Sequence, residues 1–215
     1  VGASDTVYLY SASDLTDIGD ISAFRPYEVQ LAKATRLKKL IIGSTASGYA
    51  NGRLSALDLS ACALLTEINV SGCVSLTGTL DLTKNGLIEK VYAKNSGIAF
   101  VSLPNGGLLS VLHLPAVTNL TAQNQTGLTE FSCESYENIN TLRVENTPII
   151  PALDIIKDRI AQFTGGIRII GVNADLGDDT SVLEQLVSTA AQGKYLNNNG
   201  VLSDDKTAYP HVTGT

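Results

Sequence analysis

The stretch "LDLSACALLTEINVSGC", residues 57–73, says nearly the same thing twice: "LDLSAC", then "INVSGC". Each half ends in a cysteine, Cys62 and Cys73. The first three residues of each half alternate apolar and polar, which is the period of a short strand with one buried face. The cysteines could be metal ligands, partners in a bridge, or marks of a repeat. The surrounding sequence bears on which.

Working outward, the pattern apolar-x-x-apolar-x-apolar recurs in register. It runs "LKKLII" (37–42), "LSALDL" (54–59), "LTEINV" (65–70), "TGTLDL" (77–82), "IEKVYA" (88–93), "IAFVSL" (98–103), "LSVLHL" (109–114), "VTNLTA" (117–122), "LTEFSC" (128–133) and "INTLRV" (139–144). An imperfect leader, "YEVQL" (27–31), comes before it, and "GSTASGYANG" (43–52) interrupts it. Only the 77–82 copy lacks an apolar first residue. The copies are about 11 residues apart, too few for a complete coil. Two copies, roughly 22 residues, fall in the leucine-rich range. The fold expected is mainly β: a leucine-rich-repeat-like solenoid with two short strands per coil and a C-terminal α/β capping segment. Each coil buries its apolar rows by stacking on its neighbours, and the ends need caps.

The chain then divides into an N-terminal cap with a first repeat strand (1–35), the solenoid (36–147), and a helix-strand-helix cap with a polar tail (148–215). "DTVYLY" (5–10) reads as a strand. In "PIIPALDIIKDRIAQFTGG" (148–166), Leu153, Ile156, Ile160 and Phe163 share a helical face, and Gly165–Gly166 stops the helix. "IRIIGV" (167–172) reads as a strand, and "SVLE" (181–184) as a capping box opening a helix to about Gln192.

In the aligned copies Cys62, Cys73, Asn85, Ser96 and Thr147 fall in one column, where the chain turns out of each strand. All are small residues able to hydrogen-bond a turn backbone. Consecutive copies lie on opposite sides of a coil, so Cys62 and Cys73 are expected beyond the roughly 7 Å Cα reach of a disulfide. Cys133 takes an inward position. The expectation is three free thiols, with no metal.

The solenoid register also sorts the outward residues. One side presents Ile41, Asn69, Tyr92, His113 and Ser132, flanked by Lys39, Glu67, Lys90, Val111 and Glu130. The other presents Asp58, Asp81, Ser102, Thr121 and Arg143, flanked by Ala56, Thr79, Phe100, Asn119 and Thr141. The first side is richer in large amphipathic residues, which favour contacts. Ile41, Asn69, Lys90, Tyr92, His113 and Glu130 are therefore the candidate interaction face.

Other chemistry is not suggested. The 215 residues carry 44% hydrophobic and 17% charged residues, a globular balance. The net charge of −6 argues against nucleic acid. No apolar run reaches the roughly 18–20 residues of a membrane span. The two histidines, His113 and His211, sit in no metal-binding spacing, and neither a phosphate loop nor a nucleophile elbow occurs. "DLGDD" (175–179) reads as acidic residues ahead of a helix rather than as a calcium loop. No catalytic, metal or cofactor residues are expected, and the chain is not expected to be an enzyme. It starts at Val1 and holds no Met, which reads as a piece of a longer or processed polypeptide.

Residues 27–147, with "LDLSAC" and "INVSGCVSLTGTLDLTKN", resemble bacterial leucine-rich repeats of the LxLxxC/N kind. A more specific resemblance covers nearly the whole chain. "LTDIGDISAFRPYEVQLAKATRLKKLIIGS" (15–44), "GTLDLTKNGLIEKVYAKNSGIAFVSLPNGG" (78–107), "LHLPAVTNLTAQNQTGLTEF" (112–131) and "TLRVENTP" (141–148) resemble repeat-bearing structural proteins of tailed bacteriophages of gut-type Firmicutes. "IRIIGVNADLGDDTSVLEQLVS" (167–188) resembles the segment that follows their repeats. That segment usually carries a Trp in its first part, where this chain reads "GVNADLGDD". The resemblance implies a structural or interaction module of the virion, in the tail or baseplate, touching other virion proteins and copies of itself. A host-recognition module for a cell-surface glycan or protein is the first alternative. A bacterial cell-surface adhesin is the second. None of these readings involves nucleic acid or a membrane.

Overall fold

The computed structural model describes residues 15–135, 138–139, 141–145 and 147, and the strand segments Gly166–Ile170, Tyr195–Leu196 and Leu202–Ser203. Two parallel sheets face each other as the two walls of a solenoid of about six turns, and among the described residues there is almost no helix. Sheet A holds β1 (Asp17–Asp20), β2 (Lys39–Ile41), β3 (Glu67–Asn69), β5 (Lys90–Tyr92), β7 (Val111–Leu114) and β9 (Glu130–Cys133), in that order. Sheet B holds β4 (Gly78–Asp81), β6 (Ile98–Ser102), β8 (Asn119–Gln123), β10 (Thr141–Glu145) and β11 (Gly166–Ile170). From β3 to β10 the chain alternates between them, one strand of each per coil. An antiparallel pair, β12 (Tyr195–Leu196) with β13 (Leu202–Ser203), lies in the polar tail.

The register is the one the repeat requires. Lys39, Glu67, Lys90, Val111 and Glu130 form one column across sheet A, and Ile41, Asn69, Tyr92, His113 and Ser132 the next. In sheet B, Thr79, Phe100, Asn119 and Thr141 align, as do Asp81, Ser102, Thr121 and Arg143. Between these columns sit the inward residues. Leu40, Ile68, Val91 and Leu112 from sheet A are fully buried, as are Leu80, Val101 and Leu120 from sheet B. Leucines and isoleucines just before each sheet A strand, Leu37, Leu65, Ile88 and Leu109, complete the filling. The solenoid interior is therefore one continuous cluster rather than separate cores.

Hydroxyl groups reinforce the stacking where the chain enters sheet A. Thr66 Oγ1 donates to the Lys38 carbonyl (3.0 Å), Ser110 Oγ to that of Glu89 (3.1 Å) and Thr129 Oγ1 to that of Ser110 (3.2 Å). Each bond ties one coil to the preceding one. The copy at 77–82, which lacks an apolar lead residue, uses Leu76 instead. Leu76 is buried, and the pairing of β4 with β6 shifts between Gly78 and Thr79. Gly78 takes φ 81° there, in the left-handed region where a side chain would strain the backbone.

Two expectations need correcting. The 54–59 copy is not a strand. Leu54 and Leu59 are buried and Leu57 packs against the core, but no ladder forms with β4. Apolar spacing reports burial, whereas a strand also needs a backbone partner in register. Ala56 and Asp58 are consequently not members of sheet B's columns. The second correction is at the N-terminal end. "YEVQL" (27–31) is irregular, with Leu31 buried, and the strand that opens sheet A is β1, paired with β2 through an irregular register. The expected strand at 5–10 and the expected helices within 148–166 and 181–192 lie outside the described residues. The expected strand at 167–172 is present as β11 and extends sheet B beyond β10.

Candidate interaction face

Sheet A positions the candidate residues by alternation. Each strand buries its central residue and turns its two neighbours outward, so the face is two parallel columns about 4.8 Å apart from strand to strand. Ile41, Asn69, Lys90, Tyr92 and His113 are half-buried, and Glu130 is exposed. At the N-terminal end the Lys39 ammonium lies 3.1 Å from Glu67 Oε1. Asn69 is turned toward its own turn, its Oδ1 accepting the Ser71 N–H at 2.9 Å. Lys90 forms no ion pair among the described residues.

The C-terminal half is more tightly built. The Tyr92 and His113 rings meet edge to face, centroids 5.2 Å apart and planes at 82°. His113 Nε2 lies 2.6 Å from Glu130 Oε1, reaching diagonally to the next strand. A carboxylate only accepts, so Nε2 carries the proton, whether the ring is neutral or imidazolium. The imidazole side chain is 16% exposed and the carboxylate 59%. Three coils are thus joined on the outer surface by an aromatic contact and a charge-assisted hydrogen bond. The strand register places Tyr92 beside His113 and Glu130 one strand further. The columns therefore held the signal, although His113 alone reads as an ordinary surface residue.

The sheet B surface has another character. Asp81 Oδ1 accepts the Thr83 N–H (2.9 Å) and hydroxyl (2.7 Å), and Asp58 Oδ1 accepts the Ser60 N–H (2.9 Å). These bonds, from the backbone N–H first, hold both carboxyl groups below their ordinary range. Phe100 stands out of this face, 38% exposed.

The turn column divides between the two rims. Cys62 and Asn85 lie where the chain passes from the sheet B side to sheet A, Thr147 follows β10 of sheet B, and Cys73 and Ser96 lie where the chain passes from A to B. Asn85 is fully buried, and its Nδ2 donates to the carbonyls of Leu59 (3.2 Å) and Cys62 (2.7 Å) in the preceding coil. Ser96 Oγ donates to the Ala93 carbonyl (2.7 Å). Thr147 is buried and its Oγ1 accepts the Gln125 N–H at 3.1 Å. Gln125 occupies the same column, was not singled out from sequence, and is also fully buried. Its place six residues into "LTAQNQ" was the available signal.

Cys62, Cys73 and Cys133 are free thiols. Burial raises all three, and Cys73 reaches about 11. A thiol held neutral in this way is a poor nucleophile and a poor metal ligand. Cys133 Sγ lies 3.2 Å from the Pro115 carbonyl, which accepts from it. Among the described residues, no cluster of His, Cys, Asp and Glu could hold a metal ion. None of their helices is long and apolar enough to cross a membrane.

No family model matches the chain, and neither a curated protein nor a solved structure matches it.

Proposed function

We propose that this chain is a non-enzymatic structural and interaction module of a bacteriophage virion, in the tail or baseplate, and that sheet A is its contact face. The observation that carries the contact reading is the Tyr92–His113–Glu130 cluster, which spans three coils and holds its side chains in fixed geometry. Preorganised amphipathic side chains lose little freedom on docking, which is what a contact surface needs. The virion assignment is supported by the resemblance of residues 15–44, 78–107, 112–131 and 141–148 to repeat-bearing virion proteins. The partners are other virion proteins and copies of this chain, and the mechanism is shape: a stiff solenoid presenting a patterned wall.

The test is location. Mass spectrometry of purified particles should find the chain in the tail fraction, and a particle reconstruction should bury sheet A against a neighbouring subunit. Recovery from bacterial cell walls and not from particles would instead select the adhesin reading. Tyr92 favours host recognition as the second reading, since an aromatic ring on an accessible face suits glycan or protein contact. Loss of host-cell binding in Tyr92→Ala, with the melting temperature unchanged, would establish that reading over the purely architectural one.

A further inference from the structure

Where the chain enters sheet A, apolar residues come in pairs, and the core takes only one of each. In "LL" (64–65), "LI" (87–88) and "LL" (108–109) the second residue is fully buried. The first is not: Leu64, Leu87 and Leu108 are 37%, 42% and 56% exposed. They are the only exposed leucines among the described residues. Each stands three residues before one of the aligned positions Glu67, Lys90 and Val111. The leucines therefore form one ridge along the B-to-A rim, in successive coils about 4.8 Å apart. Beside them run Ala63, Gly86 and Gly107, and a Cβ on Gly86 would meet nothing within 4 Å, so the ridge stands clear of its flank. Single exposed apolar residues are ordinary, but a contiguous row marks a surface that another molecule covers.

Charge at the two ends of the ridge points to the occupant. In the coil before it, the same place holds Arg36, followed by exposed Lys38 and by Lys39. In the coil after it, the place is Gly127, followed by Glu130, whose carboxylate is 59% exposed even with His113 bonded to it. Beside the middle leucine, Glu89 and Lys90 form no ion pair among the described residues. A basic head, a neutral middle and an acidic foot fit a second copy of the same surface turned end for end. We propose that the leucine ridge is a self-association surface, on which two chains pack antiparallel about a two-fold axis through the Leu87 coil. Leu64 then meets the partner's Leu108 and Lys38 faces the partner's Glu130, each contact occurring twice. Near the axis, Glu89 lies within reach of the partner's Lys90, and the reverse. A parallel pairing would set the basic coil against the basic coil and the acidic against the acidic, so charge selects the antiparallel one. The ridge lies outside the Tyr92–His113 contact, so this surface is additional to the sheet A reading and does not rest on it.

Sedimentation velocity of the full chain over a concentration series tests this. The expected result is a monomer–dimer equilibrium with a Kd of about 1–100 µM, the range of a small contact. Leu87→Ser should raise that Kd about tenfold or more, because the two-fold brings the loss in from both copies. Val74→Ser, which changes a comparably exposed residue on the opposite rim, should leave it unchanged. Lys38→Glu and Glu130→Lys should each weaken the dimer several-fold, and the two together should restore it. A chain that stays monomeric throughout leaves the ridge to a different occupant and overturns the proposal. Equal responses to Leu87→Ser and Val74→Ser, or charge reversals that add instead of cancelling, would overturn it as well.

Discussion

The two walls of this solenoid share one backbone plan and use their outer side chains in opposite ways. On sheet A, apart from Asn69, which bonds its own turn at Ser71, the side chains reach across coils: Lys39 to Glu67, Tyr92 to His113, His113 to Glu130. On the sheet B side the carboxylates fold back on their own turns, Asp58 to Ser60 and Asp81 to Thr83. A side chain that bonds two residues ahead fixes a turn and leaves the next coil untouched. One that bonds the neighbouring strand couples coils and builds a surface larger than any repeat. The same repeat can therefore specify a scaffold on one wall and a continuous contact surface on the other.

That contrast should vanish in the interior, where the largest effects are expected. Leu112→Asp from sheet A and Leu120→Asp from sheet B both replace buried leucine with a carboxylate. Each should cost at least about 4 kcal/mol and abolish cooperative urea unfolding. A mild effect in one wall alone would mean that the core is not shared.

Next comes the column between the walls. Asn85→Ala strips partners from two carbonyls of the preceding coil and should cost about 2–3 kcal/mol in a urea titration. The buried Cys73 adds a pH dependence of comparable size. In the unfolded chain the thiol ionises in its ordinary range, while in the folded chain it stays neutral up to about 11. Stability is then intact below the ordinary thiol range and lost as pH rises through it toward 11, by up to about 3 kcal/mol. Cys73→Ala should flatten that fall, and a slope unchanged by the substitution would contradict the assignment.

The outer faces should show the smallest effects and the sharpest difference. A double-mutant cycle on His113 and Glu130 should return a coupling of about 0.5–1 kcal/mol at pH 7. On the other wall, Asp81→Ala should cost about 0.5 kcal/mol at most, because the carboxylate is exposed and screened. Its folded-state carboxyl ionises below the ordinary range, so the contribution is present above that range and lost as pH falls through the lowered value. Cycles pairing Asp81 with Ser102, its neighbour across the ladder, should give no coupling. If they match the His113–Glu130 cycle, the two walls do not differ as described.

Much of this was legible in the sequence, for a physical reason. Nearly every copy carries its own apolar set, so the columns of sheet A, and those of sheet B from β4 onward, follow from spacing, and the Tyr92–His113 neighbourhood with them. What spacing hides is pairing without burial and burial without pairing. β1, "DIGD", offers a single apolar residue, Ile18. The Asp17 side chain accepting the Gly19 N–H and the Asp20 side chain accepting the Ser22 N–H shape its backbone instead. Residues 54–59 show the reverse, a full apolar set with no ladder. Gln125 escaped notice because its partner, the Pro104 carbonyl, lies in the coil before it, and no single repeat contains that information.

The columns of sheet A also recur at steps that shorten along the chain, from Lys39 through Glu67, Lys90 and Val111 to Glu130, while the strands stay in register. All the variation in length is absorbed at the rims, most visibly in the 43–52 insertion, where residues 45–48 are exposed. The insertion is nonetheless anchored: Tyr49 donates to the Ile42 carbonyl, and Asn51 to that of Pro26. The rims are thus ports for cargo. A peptide tag or a binding loop spliced between Thr45 and Gly48 would ride on the outside of the rod, displayed at a fixed height, with the wall beneath it unchanged.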